Sequence, residues 1–248
     1  MVVILWRAVT LAVAVFALFW AVAISKALPT RNLLGLAQGV QLGQVYPSRD
    51  LKLVLAETSD SDCRVEVRRS ALLLNLLLFD RENRGDAATI EGEPLGARLQ
   101  ATRSAAKALL ECAPSDGLGW LALYLTSIRQ SGFGPDAVAE LAATYRNAPH
   151  EAWLQTLRLP AVLAVYQALP PQLQKMAIGD FNDLLSGGML KAVASLIAGS
   201  PRAMRETLHE QVCSASRVQQ AVVNNELEKL SQPVARCSSA SSLPDRQR

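Results

Sequence analysis

With 248 residues, half of them hydrophobic, and a net charge of +3, the chain has apolar mass for one large packed domain or two small ones. So small a charge, with no Lys/Arg cluster among aromatics, excludes the electrostatic footprint of a nucleic-acid binder. Aromatics are only 5%; Ala and Leu dominate the apolar residues, and both lose little rotamer freedom in a helix, which points away from β architecture.

Residues 8–25 carry no charge, with Arg7 before them and Lys26 after. A membrane-crossing helix needs ~20 mainly apolar residues. Residues 2–25 supply them if Arg7 reaches back toward headgroups. Trp6 and Trp20 stand near the two ends, where aromatic anchors are favoured. A cleaved signal peptide is the rival, with Arg7 as its charged start, residues 11–20 as its apolar stretch and Ala21-Val22-Ala23 as its cleavage triplet. A buried core helix is a third reading. The length of the run and the bulk of Trp20 favour the anchor. Either membrane-directed reading places the bulk of the chain on the extracytoplasmic, periplasmic side of an inner membrane. Residues 71–79 are too few for a second span and the C-terminus is too polar, so a single pass is expected.

The expected organisation is an anchor over 1–26, a linker with a short helix over 27–60, a helical domain over 61–231 and a disordered tail over 232–248. Gly35, Gly39 and Gly43 share one helical face, a pattern that permits close helix contact. Three glycines also weaken an exposed helix, so residues 28–47 are expected to be loosely ordered. A brief helix over 50–57 precedes strongly apolar helices over 62–81 and 95–111, separated by a polar loop over 84–94. Asp116 is placed to cap a helix over 117–130. Gly132 and Gly134 end that helix, and Pro135 opens the next. A helix over 150–168 is expected to bend at Pro160. Pro171 opens another that stops at Gly187-Gly188. Helices follow over 189–198, from Ser200-Pro201, and over 217–230. No run alternates as a strand should. The fold class is all-α.

Four cysteines and no C-x-x-C pair suit an oxidising compartment. Cys63 opens one expected helix and Cys112 closes the next, and an antiparallel hairpin sets those ends side by side. The expected disulfides are therefore Cys63–Cys112 and, by remainder, Cys213–Cys237. Free buried thiols are the alternative.

Ala113-Pro114 is followed by Trp120-Leu121, and Ala148-Pro149 by Trp153-Leu154. The dipeptides recur at 35 and 33 residues, close to the 34-residue helix-turn-helix period. The segment resembles a degenerate tetratricopeptide repeat. Ala137, Leu141 and Pro149 match the second-helix pattern, and Trp120 and Leu123 part of the first. Tyr124 stands at the usual glycine position and Ser127 at the usual tyrosine. The resemblance implies a helix-hairpin array, against the alternative of an irregular helical bundle. The overall plan is also similar to small membrane-anchored proteins associated with bacterial surface-polysaccharide synthesis and export, carried here by residues 113–123, 147–154, Arg158 and Leu169-Pro170-Pro171.

No phosphate loop, dinucleotide fingerprint or nucleophile elbow is present, so no cofactor or catalytic residue is assigned. His150 and His209 lack metal-ligand spacing to a partner, so no metal ligand is assigned either. Glu111 with Asp116 and Asp180 with Asp183 read as helix-end or solvated charges. Large aromatics and arginines are favoured partner anchors, which makes Trp120, Tyr124, Trp153, Arg129 and Arg158 the candidate partner-binding residues. Core packing, or a solvated face, is their alternative role. The expected protein is a non-catalytic, membrane-tethered scaffold or assembly factor with envelope membrane proteins as partners. An enzyme acting on periplasmic glycan or peptidoglycan is the second reading.

Overall fold

A computed structural model describes the backbone of residues 2–57, 63–83 and 95–237, and the side chains of 13–20, 30–57, 63–82 and 96–237. Met1, Asp62, the loop expected over 84–94 and residues 238–248 lie outside the described residues, as do the side chains of Trp6, Arg7, the 21–23 triplet and Lys26. Among the described residues the fold is all-α: α1 (Val2–Gln41), α2 (Ser48–Glu57), α3 (Val65–Asn83), α4 (Leu95–Cys112), α5 (Gly117–Ser131), α6 (Pro135–Asn147), α7 (Ala152–Ala164), a 3₁₀ turn (Tyr166–Ala168), α8 (Pro171–Ser186), α9 (Leu190–Gly199), α10 (Arg202–Ser214) and α11 (Arg217–Lys229). The chain divides into two units, Met1–Thr126 and Ser127–Arg248.

In the first unit, α1 is one helix of 40 residues, about 60 Å long. The loose segment expected over 28–47 is instead helical as far as Gln41. Leu33, Leu36, Ala37 and Val40 form a stripe at helical spacing, and they pack on Leu51, Val54 and Leu55 of α2 and on Val67, Leu74 and Leu78 of α3. That burial outweighs the cost of about 1 kcal/mol for each interior glycine. Gly39 is where the chain approaches most closely, since a Cβ there would collide with the Tyr46 ring. The helix ends at Gly43 (φ 82°). The Gln44 amide donates to the Gly39 carbonyl, and the Gly43 amide to that of Val40, a left-handed cap that satisfies two terminal carbonyls.

Helices α3 and α4 form an antiparallel hairpin closed by the Cys63–Cys112 disulfide, as the cysteine positions predict. Asp116 caps α5 through its Oδ1, which accepts from the Leu118 amide at 2.9 Å and the Gly119 amide at 3.2 Å. Its Oδ2 accepts from Arg69 of α3 at 2.6 and 2.9 Å. A Cβ at Gly119 would come within 2.8 Å of Leu110, so α5 starts hard against α4.

In the second unit, α7 and α8 pack as a hairpin, and α9 packs against α8, α10 and α11. The α7 helix keeps Pro160 inside but stops at Ala164, earlier than the residue 168 expected; the 3₁₀ turn follows as a separate element. After α11 the chain does not run free from Ser231, as its composition suggests. Ser231 takes φ 55°, Ala235 is buried, and the Cys213–Cys237 disulfide ties this segment to α10. The Asn224 amide side chain holds it by pairing with both the N–H and the C=O of Ala235.

Candidate functional site

Helix α7 presents two unlike faces, and their periodicity explains both. Leu154, Arg158 and Val162 recur every four residues and are buried. Trp153, Leu157, Pro160 and Ala164 recur on the opposite side and are exposed, with Trp153 at 41% and Leu157 at 43%. A charged residue on the inner face and a tryptophan on the outer face reverse the usual distribution.

Arg158 is fully buried. Its Nε and Nη2 donate to the two carboxylate oxygens of Asp180 on α8, at 2.5 and 2.6 Å. Nη1 donates to the Ala148 carbonyl at 2.8 Å, and Nη2 also reaches that of Pro149 at 3.1 Å. The guanidinium lies over the Tyr145 ring, 4.1 Å from its centroid, a geometry in which ring and cation attract. Gln155 donates to Pro149, Asp180 and Asp183, and His150 meets Asp183 at 3.0 Å at the exposed rim. Burial pushes the Asp180 carboxyl above its ordinary range, while hydrogen bonds and charge from Arg158, then hydrogen bonds from Gln155 and Tyr145, pull the other way. The cluster fastens the end of α6, the Ala148-Pro149 turn, α7 and α8 to one another. Asp180, under Arg158 and 3% exposed, is closed to a substrate.

The two Ala-Pro turns share local geometry. In each, the alanine amide donates to the carbonyl four residues back: Ala113 to Leu109, Ala148 to Thr144. In each, a side chain six residues beyond the proline donates to the proline carbonyl: Trp120 to Pro114 at 2.8 Å, Gln155 to Pro149 at 3.3 Å.

Of the five candidate partner anchors, Trp153 and Arg129 are exposed and Trp120 is half-buried. Tyr124 and Arg158 are interior, because their helical phase matches that of buried leucines. Burial drives the Tyr124 hydroxyl well above its ordinary pKa. Asp180, read from the sequence as a helix-end or solvated charge, is instead buried, in phase with the buried Ala177, Phe181 and Leu184. Among the described residues no three His, Cys, Asp or Glu side chains gather as metal ligands. Among residues with described side chains, no helix is long and apolar enough to cross a membrane. No family model, curated protein or solved structure matches the chain.

Proposed function

We propose that the chain is a single-pass, membrane-tethered, non-catalytic scaffold whose helical domain lies outside the cytoplasm and docks envelope membrane proteins through the outer face of α7. One observation carries the tether: Val13, Val15, Phe16, Leu18, Phe19 and Trp20 are each 58–72% exposed, and they belong to the same uncharged stretch of α1. A helix apolar all round is stable where lipid or protein surrounds it, and the chain's own fold leaves these residues uncovered. The two disulfides fit an oxidising compartment. Because α1 continues without a break from this stretch into the core at Leu33 and Ala37, the tether would also fix the domain's distance from the bilayer.

The docking reading rests on Trp153 and Leu157, exposed apolar side chains one turn apart on a helix braced from behind by Arg158. Tryptophan on a rigid element is a favoured anchor for partners. The finer architecture we favour is a degenerate helix-hairpin array, supported by the matching Ala-Pro turns. Surface-polysaccharide synthesis or export is the setting its resemblance suggests.

Photo-crosslinking from membranes tests this. A crosslinking residue at position 153 should capture a membrane protein, and the same residue at exposed Lys175 on α8 should not. Deleting residues 1–26 should abolish the capture. Equal capture from both positions contradicts docking through α7, and turnover of a glycan by the purified chain contradicts the non-catalytic reading.

A further inference from the structure

An open hollow of about 550 Å³ lies in the second unit, between α10 and the segment that the Cys213–Cys237 bridge ties to it. That volume falls within the range of small-molecule sites, about 300–1,000 Å³. Its two walls carry opposite charge. Glu206 and Glu210 stand one turn apart on α10, and Arg236 stands on the tied segment. All three are exposed. Among the described residues no hydrogen bond or ion pair joins Arg236 to either glutamate. The neighbouring guanidinium of Arg205 is held elsewhere, by the carbonyls of Ala198 and Ser200 and by the side chain of Gln232. Opposite charges thus share one hollow without meeting, and Pro233 and Val234 add apolar surface between them and the disulfide.

We propose that this hollow binds a small zwitterion of the amino-acid type, with its ammonium at Glu206 and Glu210, its carboxylate at Arg236 and its apolar side chain on Pro233 and Val234. Two carboxylates one turn apart on a helix repel each other. An ammonium, which has three donors and no acceptor, relieves that repulsion. The guanidinium fork suits a carboxylate, which it meets through two parallel hydrogen bonds. A ligand with a single charge finds a partner on one wall and its like on the other, so the hollow selects for both charges together. A free amino acid and a short peptide with open ends share this chemistry, and the test separates them.

The chain's two histidines report on the site. His209 lines the hollow, whereas His150 meets Asp183 of α8 and serves as the control. The full chain in a nonionic detergent, labelled at histidine for NMR and held at constant neutral pH, receives leucine or leucyl-leucine. Each is also supplied N-acetylated, which removes the ammonium, and C-amidated, which removes the carboxylate. Leucine or leucyl-leucine should shift the His209 ring signals and leave those of His150 in place. The tighter of the two assigns the site to a free amino acid or to a peptide. Blocking either end should weaken binding about fivefold, as expected for one exposed ion pair. Glu206→Gln with Glu210→Gln should abolish the preference for the open over the acetylated ligand, and Arg236→Gln the preference over the amide. A merely structural change would weaken all ligands alike, and the variants must keep the helical circular dichroism of the parent. The proposal is overturned if neither open ligand moves His209, if a blocked ligand binds as tightly as the open one, or if both preferences persist in the variants.

Discussion

The guanidinium of Arg158 and the carboxylate of Asp180 meet through two hydrogen bonds with neither side chain reaching solvent. Such a pair is costly to desolvate and costlier to break, because the remaining partner is left as a buried, uncompensated charge. Arg158→Met alone should lower stability by about 3–5 kcal/mol, and Asp180→Leu alone by a similar amount. Replacing both together should recover much of the loss. Urea unfolding of the three variants checks this. Additive losses in the double variant contradict the account of the pair as a coupled unit.

Asp116 serves two elements at once, capping α5 and receiving Arg69 from α3. Asp116→Asn keeps an oxygen for the cap and loses the charge opposite Arg69, whereas Asp116→Ala loses both. The alanine variant should cost about 1–2 kcal/mol from the cap alone, and the asparagine variant distinctly less. Thermal melts of the two variants rank them.

The disulfides should differ in weight. Cys63–Cys112 closes a loop of 49 residues and Cys213–Cys237 one of 24. Loop-closure entropy assigns about 4 kcal/mol to the first and about 3.5 kcal/mol to the second. Paired Cys→Ser variants should both destabilise the chain. Only the second should make the segment around Ala235 susceptible to protease, because it removes the covalent tie to α10 and leaves the hydrogen bonds between Asn224 and Ala235 and from Arg205 to Gln232.

His209 gives a pH dependence with a definite sign. Burial, and then the charge of Arg205, lower its pKa from 6.5. Glu206, Glu210 and Arg236 line the same hollow, beside the Cys213–Cys237 bridge. Below pH 6.5 the unfolded chain takes up a proton that the folded chain resists. This contribution to stability is therefore present above pH 6.5 and is lost as pH falls through the folded-state value. His209→Gln should flatten the stability profile across that window, read by denaturant unfolding at successive pH values.

Most helix limits were legible because prolines and glycines set them locally: Pro135 and Pro171 open helices, and Gly188 (φ 78°) closes one. The cysteine pairing was legible for a geometric reason, since one hairpin places Cys63 beside Cys112. What sequence reading missed depends on tertiary burial. The continuation of α1 past Gly35 and Gly39 rests on α2 and α3 covering Leu33 and Ala37, a contact that glycine propensity does not report. Arg158 reads as a solvated charge until it is placed in phase with Leu154 and Val162. Asp180, its partner, lies 22 residues away on another helix.

The tether rests on water-averse side chains of α1 that the rest of the chain leaves bare. A reporter enzyme that is active only after forming disulfides outside the cytosol, fused after Arg248 of the full chain, measures the consequence directly. The expected result is activity that stays with the membrane pellet and falls away when residues 1–26 are deleted. A reporter that is inactive on the full chain, yet folded and recovered from the cytosol, would contradict the placement and the envelope partners argued from it.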